Sequence, residues 1–162
     1  MENFSINEII ELAIQIEKKG YTFYNKALER KNLSSNSAEL LKKLRDDEIV
    51  HEQTFKRMRT KLNREEITLS GDWQEVSSYL RTISDSHIFS KTDAAIKLAT
   101  SAYDEKELIE NAIQFEKDTL LFFNSIYEKI EDQAVRKILK KIIEEEVLHV
   151  KKLKNLLTIS DV

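Results

Sequence analysis

The sequence predicts an all-α protein, a four-helix bundle made of two antiparallel helical hairpins joined by a long, partly helical crossover. Three observations predict it. The 162 residues include no proline and only two glycines, Gly20 and Gly71, amid abundant Leu, Ile, Lys and Glu, a composition that favours helices. Apolar residues recur at alternating steps of three and four through four long segments, the spacing that lays a stripe along one helix face. The second half also repeats the first. "AIQIEKKGYTFYNKA" at 13–27 matches "AIQFEKDTLLFFNSI" at 112–126 in seven of fifteen positions, and "DDEIVHE" at 46–52 returns as "EEEVLHV" at 144–150. A chain of this length forms a single domain with a proper core.

The elements follow in order. Ser5, with Glu8 three residues later, is a capping box that opens a first helix over about 5–30. The polar cluster "KNLSSNS" breaks the pattern, and Asn36 with Glu39 caps a second helix over about 36–62. So short a connection makes the two antiparallel neighbours. From about 63 to 103 the periodicity weakens; "LSGDWQEVSSYL" and "TDAAIKLATSA" read as short helical pieces of a crossover that Trp73 packs against the bundle. Asp104 with Glu107 then caps a third helix over about 104–130, and Asp132 starts a fourth over about 132–157.

The formal charge is -3, with 26 basic and 29 acidic residues spread along the chain, so there is no basic footprint for nucleic acid or an acidic membrane. No cysteine occurs, which excludes disulfides, thiolate zinc sites, iron–sulfur clusters and a cysteine nucleophile. Any metal must bind through oxygen and nitrogen. "MENFSINEII" has an early acid and no apolar run long enough for a signal peptide or membrane span, so the expected location is the cytoplasm.

The seams that should face the bundle interior carry polar residues at one level. The first runs Ile6, Ile10, Ala13, Glu17, Gly20, Tyr24, Ala27, and the second Leu41, Leu44, Glu48, His51, Phe55, Met58, Leu62. The third runs Ile109, Ala112, Glu116, Thr119, Phe123, Ile126, Ile130, and the fourth Val135, Leu139, Ile142, Glu146, His149, Leu153, Leu156. The midpoint of Glu17 and Glu48 is 32.5 and that of Glu116 and Glu146 is 131, each in or beside an expected turn, so the carboxylates of each hairpin face one another. Four carboxylates in a dry core repel one another, and each carries a desolvation penalty of about several kcal/mol. Two divalent cations would neutralise them, with the two imidazoles completing coordination. Residues three apart share a helix face, so each Glu-x-x-His offers both its side chains to one metal. Glu144 and Glu145 lack the seam position and read as solvated or as supporting neighbours of the site. His87 has no partner at ligand spacing and reads as structural.

Single glutamates on two helices and Glu-x-x-His on the other two form the ferritin-like dimetal-carboxylate pattern. With Glu17, "EIVH", Glu116 and "EVLH" in these places, the chain resembles the rubrerythrin branch of the ferritin-like superfamily along nearly its whole length. The resemblance implies that Glu17 and Glu116 are terminal carboxylates, Glu48 and Glu146 bridge both metals, and His51 and His149 each serve one metal. It also matches Tyr24 to a tyrosine that rubrerythrins place beside their site. Two departures stand out. Rubrerythrins usually append a rubredoxin domain with a four-cysteine iron site, which a cysteine-free chain does not contain, so electrons would come from a separate donor. They also usually carry a second glutamate where this sequence has Thr119, a carboxylate that helps one iron shift with redox state. Gly20 is the equivalent of Thr119 in the first repeat; it either leaves room for a small oxidant or lets helices approach. Tyr21, Phe23, Tyr24, Phe122 and Phe123 read as core packing.

The resemblance implies a non-haem di-iron oxidoreductase that reacts with hydrogen peroxide or dioxygen and is re-reduced by an external redox partner protein. Its cofactor would be two iron ions, although oxygen and nitrogen ligands also suit manganese. The alternatives are a ferroxidase or iron-handling protein, and a non-catalytic helical interaction module held together by metal. A homo-oligomer, a dimer, is expected; iron storage would instead require a hollow shell.

Overall fold

The structure is a computed structural model and describes residues 6–62, 78, 81–82 and 93–160. Among the described residues, helices run in the order α1 (Ile6–Leu28), α2 (Ser35–Leu62), α3 (Ala94–Thr100), α4 (Glu105–Tyr127) and α5 (Gln133–Ser160). α1 packs against α2 and α4 against α5; contacts of α1 with α4 and of α2 with α5 close the bundle, and α3 lies on α1 and α4. The all-α fold is the one expected. Ser5, Trp73, His87 and most of the crossover lie outside the described residues.

The seams explain the packing. Of the seam residues from Ile10 onward, all but Leu62, whose side chain is not described, are buried, and the apolar ones sort into two clusters. In one, Ile9, Ile10 and Ala13 of α1 meet Phe55 and Met58 near the end of α2, while Phe123 and Ile126 of α4 meet Val135 and Leu139 near the start of α5. In the other, Ala27 joins Leu41 and Leu44, and Ile109 and Ala112 join Leu153 and Leu156. Starts therefore pair with ends, so both hairpins are antiparallel. Between the two clusters lies one buried polar layer: Glu17, Glu48, His51, Glu116, Thr119, Glu146 and His149.

Helix ends depart from expectation in informative ways. α2 begins at Ser35 and is capped by Ser34, whose Oγ accepts from Ser37 N at 3.2 Å; Asn36 is not the cap. Ser34 wins because its N and Oγ both donate to Glu105 Oε1 of α4, at 3.1 and 2.8 Å, which anchors the turn across the bundle. Asp104 caps α4 by accepting from Glu107 N at 2.8 Å, and Glu107 reaches back to Tyr103 N. Asp132 caps α5, accepting from Val135 N at 2.9 Å. α4 stops at Tyr127, and Arg136 Nη1 donates to the freed carbonyls of Tyr127 and Ile130 at 2.6 and 2.9 Å.

Candidate metal centre

Each helix delivers its polar residues to the middle layer because they replace apolar residues in its seam. Glu17, Glu48, His51, Glu116, Glu146 and His149 are all 2% exposed or less. Their donor atoms form two overlapping groups, Glu17–Glu48–His51–Glu146 and Glu48–Glu116–Glu146–His149; within each, the atoms lie within 4.8 Å of one another. Glu48 and Glu146 belong to both. The six residues picked from the sequence thus converge on two adjacent points, with one imidazole and one unshared carboxylate at each.

The atoms face inward without bonding to one another. Glu146 Oε1 is 2.8 Å from His51 Nδ1, and Glu146 Oε2 is 2.9 Å from His149 Nδ1. Yet these four atoms, both oxygens of Glu17, Glu48 Oε1 and Glu116 Oε2 are buried without a hydrogen-bond partner. Orphaned buried polar atoms are costly and rare. Eight of them around one centre is what ligands aimed at cations look like, since donors about 2.1 Å from a shared ion lie roughly 3 Å apart. The donor set of carboxylates and imidazoles, with no sulfur, fits a pair of divalent first-row metals.

The electrostatics of the metal-free cluster point the same way. Burial raises Glu17 and Glu48 well above the usual carboxylate range, helped by the neighbouring carboxylates, and burial pushes Glu116 up to about 7. Burial acts to raise Glu146 as well, but the close approach of His149 and His51, which carry positive charge when protonated, overcomes it and holds that carboxyl low. The imidazoles respond in kind: burial opposes their charge, but the surrounding carboxylates lift His51 to about 9 and His149 higher still. Without cations the centre therefore collects protons.

Two further residues were not picked as site residues from the sequence. His149 Nε2 lies 3.2 Å from Asp47 Oδ2, and His51 Nε2 lies 2.7 Å from Glu145 Oε2. An ionised carboxylate only accepts, so in the neutral, metal-binding form of each imidazole Nε2 keeps the proton and Nδ1 is left bare toward the centre. The bond to His149 is the main reason the Asp47 carboxyl is lowered to about 2. The pairing is crossed: each acid stands just before the glutamate of one Glu-x-x-His and serves the histidine of the other. Glu145 thus takes the supporting of the two roles open to it in the sequence. The signal for Asp47 was its alignment with Glu145 in the duplication.

The outer edges of both imidazoles, with Asp47 and Glu145, line a cleft of about 220 Å³ between α2 and α5, flanked by Lys43, Val50, Leu148 and Lys152. Tyr24 is buried and donates its phenol to Glu116 Oε1; Phe23 packs edge-on to it and stacks on Phe115. Phe122 and Phe123 are buried as expected, whereas Tyr21 is half-buried. Thr119 turns its hydroxyl back to Phe115 O at 3.0 Å. Among the described residues, no helix is long and apolar enough to cross a membrane.

In comparison with known families, the family model described as Rubrerythrin matches residues 8–157. No curated protein and no solved structure matches the chain.

Proposed function

Since the chain belongs to the rubrerythrin family, we propose that it is a non-haem di-iron oxidoreductase that reduces hydrogen peroxide or dioxygen and draws electrons from an external donor. The observation that carries this reading is the ring of eight unpartnered buried donor atoms on two shared-edge groups. Two iron ions, when bound, supply one electron each, enough with two protons to convert one hydrogen peroxide to two waters.

The chain's own residues do the rest. Glu48 and Glu146, common to both groups, would serve both ions, while Glu17 with His51, and Glu116 with His149, would hold one ion each. Asp47 and Glu145 fix the tautomer and tilt of the imidazoles, which keeps both Nδ1 atoms available. Burial pushes the Tyr24 phenol well above its ordinary range, so it stays protonated and remains a donor to Glu116. The apolar clusters above and below exclude bulk water and strengthen every charge interaction inside the layer.

The test is to load the protein with Fe(II) without air and follow oxidation of the centre by peroxide and by dioxygen, then repeat with a reductant. Rapid oxidation with many turnovers is expected. A centre that oxidises once and releases its iron would speak for iron handling, and one that resists both oxidants for a purely structural metal.

A further inference from the structure

Resting on the dimetal reading above, we infer that Gly20 is a positioning residue: the side chain it lacks leaves the berth in which the Glu48 carboxylate lies. A Cβ built on Gly20 would stand 2.6 Å from Glu48 Oε2, 2.9 Å from Glu48 Cδ and 3.2 Å from Phe115 Cε1. These nearest neighbours are side-chain atoms, and two belong to a residue shared by both donor groups. The space beside Gly20 is therefore filled by a carboxylate. It is neither a vacancy for an oxidant nor a close approach of helix backbones.

Conformational freedom does not explain the glycine. Gly20 lies in the interior of α1 and has no positive φ, so its backbone is one that alanine adopts readily and at lower cost. The second repeat sharpens the contrast. The counterpart of Gly20 is Thr119, a β-branched residue, and the counterpart of Glu48 is Glu146, whose two oxygens each lie within 2.9 Å of an imidazole nitrogen. Glu48 has no such clamp: its Oε1 is unpartnered and stands 3.9 Å from His149 Nδ1. Glu146 is thus flanked by imidazoles on both oxygens, whereas Glu48 lies in the room that Gly20 leaves.

Gly20→Ala should fold, because the two closest atoms the new methyl meets are the end of a flexible side chain, and the Phe115 ring at 3.2 Å need give only slightly. Melting the metal-free protein in three backgrounds reads the contact directly. On helix propensity alone the substitution raises Tm by about 2–4 °C in a chain of this size. That rise is expected beside Glu48→Ala, where the carboxylate is gone, and is expected to vanish in the wild type and beside Glu48→Gln, which keeps the same bulk. In Co(II) titrations, Gly20→Ala should weaken one of the two ions at least tenfold and change the visible absorption of the bound metal. Beside Glu48→Ala it should add no further loss. An equal rise in Tm in all three backgrounds overturns the berth, whatever the titration shows. Failure of the wild type to take up two Co(II) ions would instead count against the metal centre itself, and the melting comparison, which needs no metal, would still decide the role of Gly20.

Discussion

At the scale of single residues, Asp47 and Glu145 govern which nitrogen each imidazole offers. They sit 31% and 39% exposed at the cleft, yet each engages an imidazole that is 2% exposed. Removing such a support lowers metal affinity about 10–100-fold. Asp47→Ala should therefore weaken one ion by that factor and the other far less, whereas Asp47→Asn, which keeps an acceptor, should recover most of the loss. Competition titration against a chelator measures both, and two unchanged affinities would remove Asp47 from the site. The six converging residues were legible in the sequence because each interrupts an apolar seam. Asp47 was not, because its partner lies 102 residues away on another helix and nothing in the period of its own helix marks it. Glu145 had the same handicap, with a partner 94 residues away. Gly20 was visible as a small residue in a seam, but only the built structure shows whose atoms fill the space.

At the scale of the element, each helix is a good apolar stripe with a costly interruption, and the cost is separable from the stripe. Glu17 contributes two buried oxygens without partners, and burial with the nearby charges of Glu146 and Glu116 raises its pKa. Glu17→Leu restores the stripe at similar volume, so the metal-free protein should gain about 1–3 kcal/mol, the penalty of an unsatisfied buried polar group. The same variant should lose tight binding of one ion. Denaturant melts and metal titration of one preparation check both halves; a destabilised metal-free variant would mean that Glu17 has a partner in solution. The helix ends obey a different logic. Asp104 and Asp132 cap as their local sequence suggests, and Asp104→Ala should cost about 1 kcal/mol. The cap of α2 could not be chosen locally, because Ser34 and Asn36 are both competent and the choice falls to Glu105, 71 residues away.

At the scale of the whole molecule, the polar layer makes stability depend on protons and metal in opposite senses. Glu116 moves from 4.5 to about 7 and His51 from 6.5 to about 9 on folding, and Glu17, Glu48 and His149 also shift upward. A group whose folded pKa is raised contributes stability that is complete below its unfolded value and is lost as pH climbs through the folded one. Asp47 and Glu146, both lowered, act the other way, but only below the ordinary carboxylate values of 3.8 and 4.5. Without metal, the melting temperature should therefore fall steadily from about pH 5 to about pH 9. Cations bind the deprotonated ligands and release those protons, so their affinity rises over the same interval. A saturating ion adds about 2.7 kcal/mol at a hundred times its Kd, and more as Kd tightens. The gap in Tm between metal-loaded and metal-free protein should consequently widen with pH, even as the metal-free protein weakens. Scanning calorimetry with and without Mn(II), which does not oxidise readily, measures both curves. A constant gap, or a metal-free Tm that climbs with pH, would mean that the protons and the metal do not compete for the same buried carboxylates.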